Sequence, residues 1–175
     1  MSAGVQADDR LFPVELGRTW TYDLYNGADQ PMGTVTRQVA KVTPKANGLL
    51  VQGTETGAWT DNELRFLMRR TPSGVQFAAA NRPSVTYPLP LSDGHTWQAA
   101  PDIRAVAHAP VATEAATESW DASWRIDFTR ERNGKTARWS EWFSPEVGLT
   151  RFQWLDSRTG DRWDARLKPP VDETP

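Results

Sequence analysis

His95 and His108 are the only imidazoles in this chain of 175 residues, and they set the first limit on its chemistry. Imidazole is the side chain that moves protons near neutral pH and the commonest protein ligand for metals. Asp93 and His95 stand two positions apart, so a strand carries both on one face, and Glu114 or Glu118 would have to join them in space to complete a base or a metal site. The local spelling argues against that duty. His95 lies in Leu91-Ser92-Asp93-Gly94-His95-Thr96-Trp97, and the same turn is written earlier as Glu15-Leu16-Gly17-Arg18-Thr19-Trp20, with Arg18 in the place of the histidine. A position that accepts arginine in one copy is read as a turn position in the other.

Paired carboxylates are the next candidates, since glycoside hydrolysis needs two of them facing each other across a cleft with one partly desolvated. Asp121 with Asp127, Glu131 with Glu141, and Asp156 with Asp161 are the available pairs, and Arg125, Arg130, Arg158 or Arg162 stands close to each in sequence. They fall on the polar phase of alternating segments or in turns, where cross-strand surface pairing is the expected role. Cysteine is absent, which removes disulfides, thiolate metal sites and thiol nucleophiles together. No serine sits in a Gly-x-Ser-x-Gly elbow, and no glycine-rich loop precedes a helix. The sequence therefore assigns no catalytic residue, no metal ligand and no cofactor.

Aromatic rings remain, with nine tryptophans among them. Trp20, Trp97, Trp120, Trp124 and Trp163 fit buried phases, whereas Trp59, Trp142 and Trp154 do not all fit one buried face. Trp139 and Trp142 are an odd number of positions apart, so a regular strand sends their rings to opposite sides unless a bulge intervenes. Large rings left over from a core line concave ligand sites or interfaces, or else fill a second core layer. The candidate ligand-binding set is accordingly Trp59, Trp139, Trp142 and Trp154, with Arg138 and Arg151 at the rim. Arginine supplies 16 of the 20 basic residues, leaving only Lys41, Lys45, Lys135 and Lys168, and guanidinium groups stacked on tryptophan rings are expected.

The elements that must position these rings read with a period of two. Trp120, Ala122, Trp124, Ile126 and Phe128 share one phase, and Asp121, Ser123, Arg125, Asp127 and Thr129 the other. The same alternation runs through Trp20-Tyr22-Leu24, Leu64-Phe66-Met68, Val75-Phe77-Ala79 and Trp163-Ala165-Leu167. Strands with one dry and one wet face belong to antiparallel sheets. Asn26-Gly27, Pro44 to Gly48, Pro72-Ser73-Gly74, Asp93-Gly94 and Thr159-Gly160 punctuate the strands, and Asn133-Gly134 predicts a two-residue hairpin. The expected class is all-β with little helix, as a strongly curved antiparallel sheet of half-barrel type or a β-sandwich. Residues 103–119 are alanine-rich, yet Pro110 and the threonines and valines favour strand over helix there. Residues 1–10 read as a flexible start, 11–168 as one domain, and 169–175 as a disordered tail.

A net charge of −2, from 20 basic and 22 acidic side chains, gives no footprint for nucleic acid, and no apolar run reaches the length of a membrane span. Met1 to Arg10 has neither the charged start nor the apolar stretch of a signal peptide, which fits a cytoplasmic start as well as a mature export product.

Three phrases carry a resemblance: Phe12-Pro13 running to Gly17 and Trp20, Tyr87-Pro88-Leu89 running to Gly94 and Trp97, and Trp142-Phe143-Ser144-Pro145-Glu146-Val147-Gly148-Leu149. In their order and spacing the chain resembles a broad group of uncharacterised bacterial envelope proteins and lipoproteins. Glu146 stands where that group has glycine, and Trp120-Asp121-Ala122-Ser123-Trp124 replaces its usual strand opening. The resemblance implies an all-β, half-barrel fold similar to periplasmic lipoprotein carriers, an envelope or periplasmic location after signal removal, and no catalytic residues. The leading expectation is a non-enzymatic binder of an apolar small molecule, a lipid or a partner segment on a Trp-lined concave face. The alternative is an interaction module with a closed core, and a small-barrel enzyme stands third.

Overall fold

Alternation of apolar and polar residues becomes alternation of inside and outside when a sheet curls on itself, and that is what this chain does. A computed structural model describes residues 6–58, 62–80, 82–110, 123–155 and 161–169. Its strands are β1 (Gln6–Ala7), β2 (Thr19–Tyr25), β3 (Pro31–Lys45), β4 (Gly48–Gly57), β5 (Leu64–Thr71), β6 (Gly74–Ala79), β7 (Arg82–Pro88), β8 (Leu91–Ser92), β9 (Thr96–Ala100), β10 (Ile103–His108), β11 (Trp124–Arg132), β12 (Lys135–Ser144), β13 (Gly148–Leu155) and β14 (Arg162–Leu167). Twelve of them form one antiparallel sheet in the order β7-β6-β5-β4-β3-β2-β14-β13-β12-β11-β10-β9, a nearly closed barrel. Of the architectures left open by the sequence, the curved sheet is the one adopted. No described helix is long and apolar enough to cross a membrane.

The order resolves into two six-strand meanders, β2 to β7 and β9 to β14, joined where β14 pairs with β2. At the other junction, β7 and β9 are bridged through side chains. The indole N–H of Trp97 donates to the Thr86 carbonyl at 2.6 Å, and the Thr86 hydroxyl donates to the Ala99 carbonyl at 3.1 Å.

The two copies of the turn phrase open the two meanders and have the same geometry. Gly17 and Gly94 both have positive φ, 81° and 71°, which a side chain would disfavour. Gly17 N–H donates to the Val39 carbonyl while Val39 N–H donates to Arg18, and Gly94 and His95 make the same pair of bonds with Ala107. Arg18 lies over the Trp20 ring at 5.4 Å, and His95 lies against Trp97 at 5.6 Å. His95 is thus a turn residue, as the repeat implies.

Asn133 and Gly134 take φ of 52° and 70°, and Arg132 pairs directly with Lys135, so the hairpin has the two-residue loop that this dipeptide favours. Within 103–119, Ile103–His108 is a strand, Ala109 and Pro110 follow it outside any element, and 111–122, including Trp120, lie outside the described residues.

The chain start closes one end of the barrel. Gln6–Ala7 pair with Leu91–Ser92 as the two strands of a small second sheet. A 3₁₀ turn at Asp9–Leu11, capped by the Asp8 carboxylate, then feeds Leu11 and Phe12 into the core. Phe12 meets Tyr87 and Phe143 at 4.9 Å each, which brings the aromatic-Pro pairs of both phrases into contact. Arg18 and the indole N–H of Trp20 both reach the carbonyls of the turn between β12 and β13.

That turn explains the departure at Glu146, whose φ of 65° is left-handed. Exchanging it for glycine is expected to raise stability by about 0.5–1 kcal/mol, the left-handed penalty of about 1–2 kcal/mol less the entropy glycine adds to the unfolded chain. The bonds from the carbonyls survive, and the ion pair with Arg10, at 3.9 Å, is long and exposed. Thermal unfolding should show a midpoint higher by about 1–4 °C; a fall would place the stabilising role in the Glu146 side chain.

Candidate ligand cavity and the charge cluster beneath it

β11 to β14 bring aromatic side chains into line because their register does. Ala105, Phe128, Trp139, Trp154 and Trp163 are successive cross-strand partners from β10 to β14, all on the inner face. Phe128 stacks on Trp139 at 4.8 Å and 8°, and Trp139 on Trp154 at 5.2 Å and 26°. A bulge at Thr150 makes this possible. Trp142 pairs with Arg151 and Phe143 with Leu149, so Thr150 is the extra residue, and its hydroxyl donates to the Trp142 carbonyl. The parity of β13 changes there, and Leu149, Phe152 and Trp154 can all face inward.

At the end of the barrel opposite Phe12, Trp154 and Trp163 border an open cavity of about 370 Å³, with Leu24, Met32, Ala58, Phe152 and Arg82 as its other walls. Its volume falls within the usual range for small-molecule sites. Trp154, Trp163 and Arg82 are half-buried, and Leu24 and Phe152 are buried.

Arg82 belongs to a charged cluster inside the barrel. Its NH2 group donates to both oxygens of Glu55, at 2.9 and 2.8 Å, while Arg37 donates to Glu55 Oε1 through Nε at 2.9 Å and NH2 at 2.6 Å. Glu55 is 1 % exposed. Burial alone would raise its pKa, but the two guanidinium groups outweigh it and hold the carboxyl below its ordinary value. The arginines in turn lie over rings: Arg37 at 5.4 Å from Phe66 and 5.1 Å from Phe77, Arg82 at 5.8 Å from Phe77 and 5.0 Å from Phe152. Gly53 belongs to this arrangement, because a Cβ there would stand 2.1 Å from the Phe66 ring.

Glu141 is the second interior carboxyl. It accepts the Tyr87 hydroxyl at 2.6 Å, and burial pushes its pKa up. Burial likewise raises both phenols, that of Tyr22 to about 12. Between the ordinary carboxyl value of 4.5 and the raised folded value, the folded state keeps a proton that the unfolded state releases. Stability therefore falls as pH rises through that window. Glu141→Gln is expected to remove this slope: thermal midpoints of variant and parent should agree near pH 4 and separate in favour of the variant toward pH 7. Parallel profiles would show that Glu141 is ionised in the fold.

The positions read from sequence scatter over the barrel. Trp154 lines the cavity, and Trp139 supports it from within the stack, 5 % exposed. Trp142 points outward, as the odd spacing from Trp139 requires, and lies under Arg151 at 5.0 Å. Arg151 is therefore on the outer face rather than at the rim, holding Asp164 at 2.9 and 2.7 Å beside Arg166, and Arg138 is an exposed outward residue of β12. Trp59 lies outside the described residues. Trp163, given to the core by pattern, is half-buried, packed against the core on one side and a wall of the cavity on the other.

Glu141 also corrects its reading as a surface carboxylate, since it occupies the inward phase between Trp139 and Phe143. Arg37, Glu55 and Arg82 were not singled out, although Arg37 lies between inward Val35 and Val39, and Glu55 continues the phase of Val51 and Gly53. A charge on the apolar phase of a strand is the signal that would have found them.

Among the described residues, the acid-base candidates His108, Asp127 and Ser140 on the outer face do not form a relay. Asp127 binds both His108, at 3.0 Å, and the Ser140 hydroxyl, at 2.6 Å, so the carboxylate rather than the imidazole occupies the centre. No group of three potential metal ligands occurs among the described residues.

No protein-family profile matches the chain, and no curated protein matches it in sequence. Two solved structures share its fold. One, from Bacteroides fragilis, is described as an exported protein with a YmcC-like fold; it has 13 % identity and a TM-score of 0.61 over 89 % of this chain and 96 % of that one. The other, described as a lipoprotein from Parabacteroides distasonis, has 13 % identity and a TM-score of 0.56 over 90 % and 96 %. At that identity the likeness establishes the fold.

Proposed function

We propose that this protein is a non-catalytic component of the bacterial envelope that holds an apolar ligand or lipid chain at the open end of its barrel. The observation that carries the reading is the cavity of about 370 Å³ walled by Leu24, Phe152, Trp154 and Trp163. A barrel filled throughout would suit an interaction module; here one end is plugged by the protein's own Phe12 and the other is walled by half-buried tryptophans. Burial of a chain against indole faces supplies affinity without any reacting group. The exported and lipoprotein descriptions of the two structural neighbours support an envelope location.

Native mass spectrometry of protein purified from its own envelope tests the reading, together with titration of tryptophan fluorescence by decanol. A co-purifying amphiphile and saturable quenching are expected, and Trp163→Ala should weaken decanol binding by about tenfold or more, the scale of losing one buried aromatic contact. Ligand-free protein that also fails to respond to decanol would overturn it.

A further inference from the structure

We infer that the open end of the barrel docks on an anionic lipid surface through a row of arginines on its outer face, with Leu155 entering the lipid between them. The row lies on the other side of the sheet from the cavity and the interior charges, so the inference goes beyond the function proposed above and is tested apart from it.

Register is the first argument. Arg104, Thr129, Arg138, Leu155 and Arg162 are successive cross-strand partners from β10 to β14. Each is next in sequence to a member of the inward row of Ala105, Phe128, Trp139, Trp154 and Trp163, one step nearer the open end. The five side chains therefore face outward beside the mouth. Arg104, Arg138 and Arg162 are exposed, and they recur on alternate strands, about 10 Å apart at the usual strand spacing.

Charge is the second argument. Elsewhere on these strands Arg125 holds Asp127, Arg130 holds Asp102, and Arg151 and Arg166 hold Asp164. Among the described residues no carboxylate pairs with Arg104, Arg138 or Arg162. Arg132 and Lys135, also exposed, carry positive charge round the tip of the β11–β12 hairpin, against Glu131 and Asp161 as the exposed carboxylates described there. This end of β10 to β14 is thus positive on balance, although the whole chain carries −2.

The apolar residues decide the kind of partner. Leu155, 44 % exposed, stands between Arg138 and Arg162 in the row, and Met32, 45 % exposed, borders the same mouth. An acidic polysaccharide would engage the arginines and leave both apolar side chains in water. A lipid surface takes both kinds, because phosphates attract the cations while the acyl boundary accepts the apolar groups. Docked in this way, the mouth walled by Trp154 and Trp163 opens onto the lipid.

The test is co-sedimentation of the full chain with vesicles of phosphatidylcholine and with vesicles of phosphatidylcholine and phosphatidylglycerol in equal parts. Binding to the mixed vesicles is expected to be about a hundredfold tighter, the scale of three cations beside an anionic surface, and to weaken as salt rises. The combined variant Arg104→Gln, Arg138→Gln and Arg162→Gln should lose that preference while keeping the parent's thermal midpoint and decanol binding. Because the chain has no cysteine, Leu155→Cys and Leu16→Cys each accept a single environment-sensitive label, and Leu16, 70 % exposed in the turn before β2, marks the opposite end. On mixed vesicles the label of Leu155→Cys should shift to the blue and that of Leu16→Cys should not. Equal binding to both kinds of vesicle, or a shift at Leu16→Cys alone, would overturn the inference and leave the cavity reading intact. Binding to polyglutamate with no shift of the Leu155→Cys label on vesicles would give the row to an acidic macromolecule and overturn it as well. The vesicle comparison on the parent protein decides the matter even if the combined variant fails to fold.

Discussion

Replacing Glu55 with alanine is expected to destabilise the protein by about 3–5 kcal/mol, the typical cost of breaking a buried ion pair from one side. Two arginines, each 11 % exposed, would lose the carboxylate that bridges them. Folded domains are stable by only about 5–15 kcal/mol, so the loss is a large share of the total. Chemical denaturation followed by tryptophan fluorescence measures it, and a loss below about 1 kcal/mol, the scale of a surface pair, would show that water reaches the cluster. Acid should act in the same direction. The Glu55 carboxyl is held below its ordinary value of 4.5, so its contribution is fully present above that value and disappears as pH falls through the lower folded value. The cluster as a whole behaves differently from its parts. Arg37→Met, Glu55→Met and Arg82→Met combined remove all three charges at once and should cost far less than Glu55→Ala alone.

The strands and their turns were legible because each rests on a few adjacent residues. Asn133-Gly134 specifies its hairpin without reference to the rest of the chain, since two consecutive positive φ values exclude most other residues. Gly17 and Gly94, each at a single positive φ, specify two equivalent turns just as locally, with Trp20 and Trp97 three residues on. The cluster of Arg37, Glu55 and Arg82 was not legible, because Arg37 and Glu55 meet only once β3 and β4 take their register, and Arg82, on β7 three strands beyond β4, joins them only when the sheet curls. A charge on an inward phase looks, in one strand, like a weak alternation rather than a site. Glu141 was misplaced for that reason. The cavity depended on a further non-local fact, the bulge at Thr150, which moves Trp154 onto the same face as Leu149. Sequence parity counted from Leu149 sends Trp154 outward.

The two ends of the barrel divide the work between stability and recognition, and Phe12→Ala separates them. Phe12 is 4 % exposed, in tilted contact with Tyr87 and Phe143, and its carbonyl accepts from Arg70 at 3.2 Å. Removing the ring empties the core where the chain start seals it and is expected to cost about 3–5 kcal/mol, as for other buried phenylalanines. The site around Leu24, Trp154 and Trp163 lies at the far end of the same strands, since β2 runs from Trp20 beside Phe12 to Leu24 at the cavity, and β13 runs from Leu149 to Trp154. Changes so far apart that share no partner act nearly independently. The Phe12→Ala protein, assayed well below its lowered melting point, should therefore bind decanol with an affinity within about twofold of the parent. A parallel loss of binding would mean that the plug and the mouth are coupled through the charged middle layer of Arg37, Glu55 and Arg82. Preserved binding alongside a large fall in the denaturation midpoint would instead fix the open end, rimmed by Trp154 and Trp163, as the part of the barrel that recognises ligand.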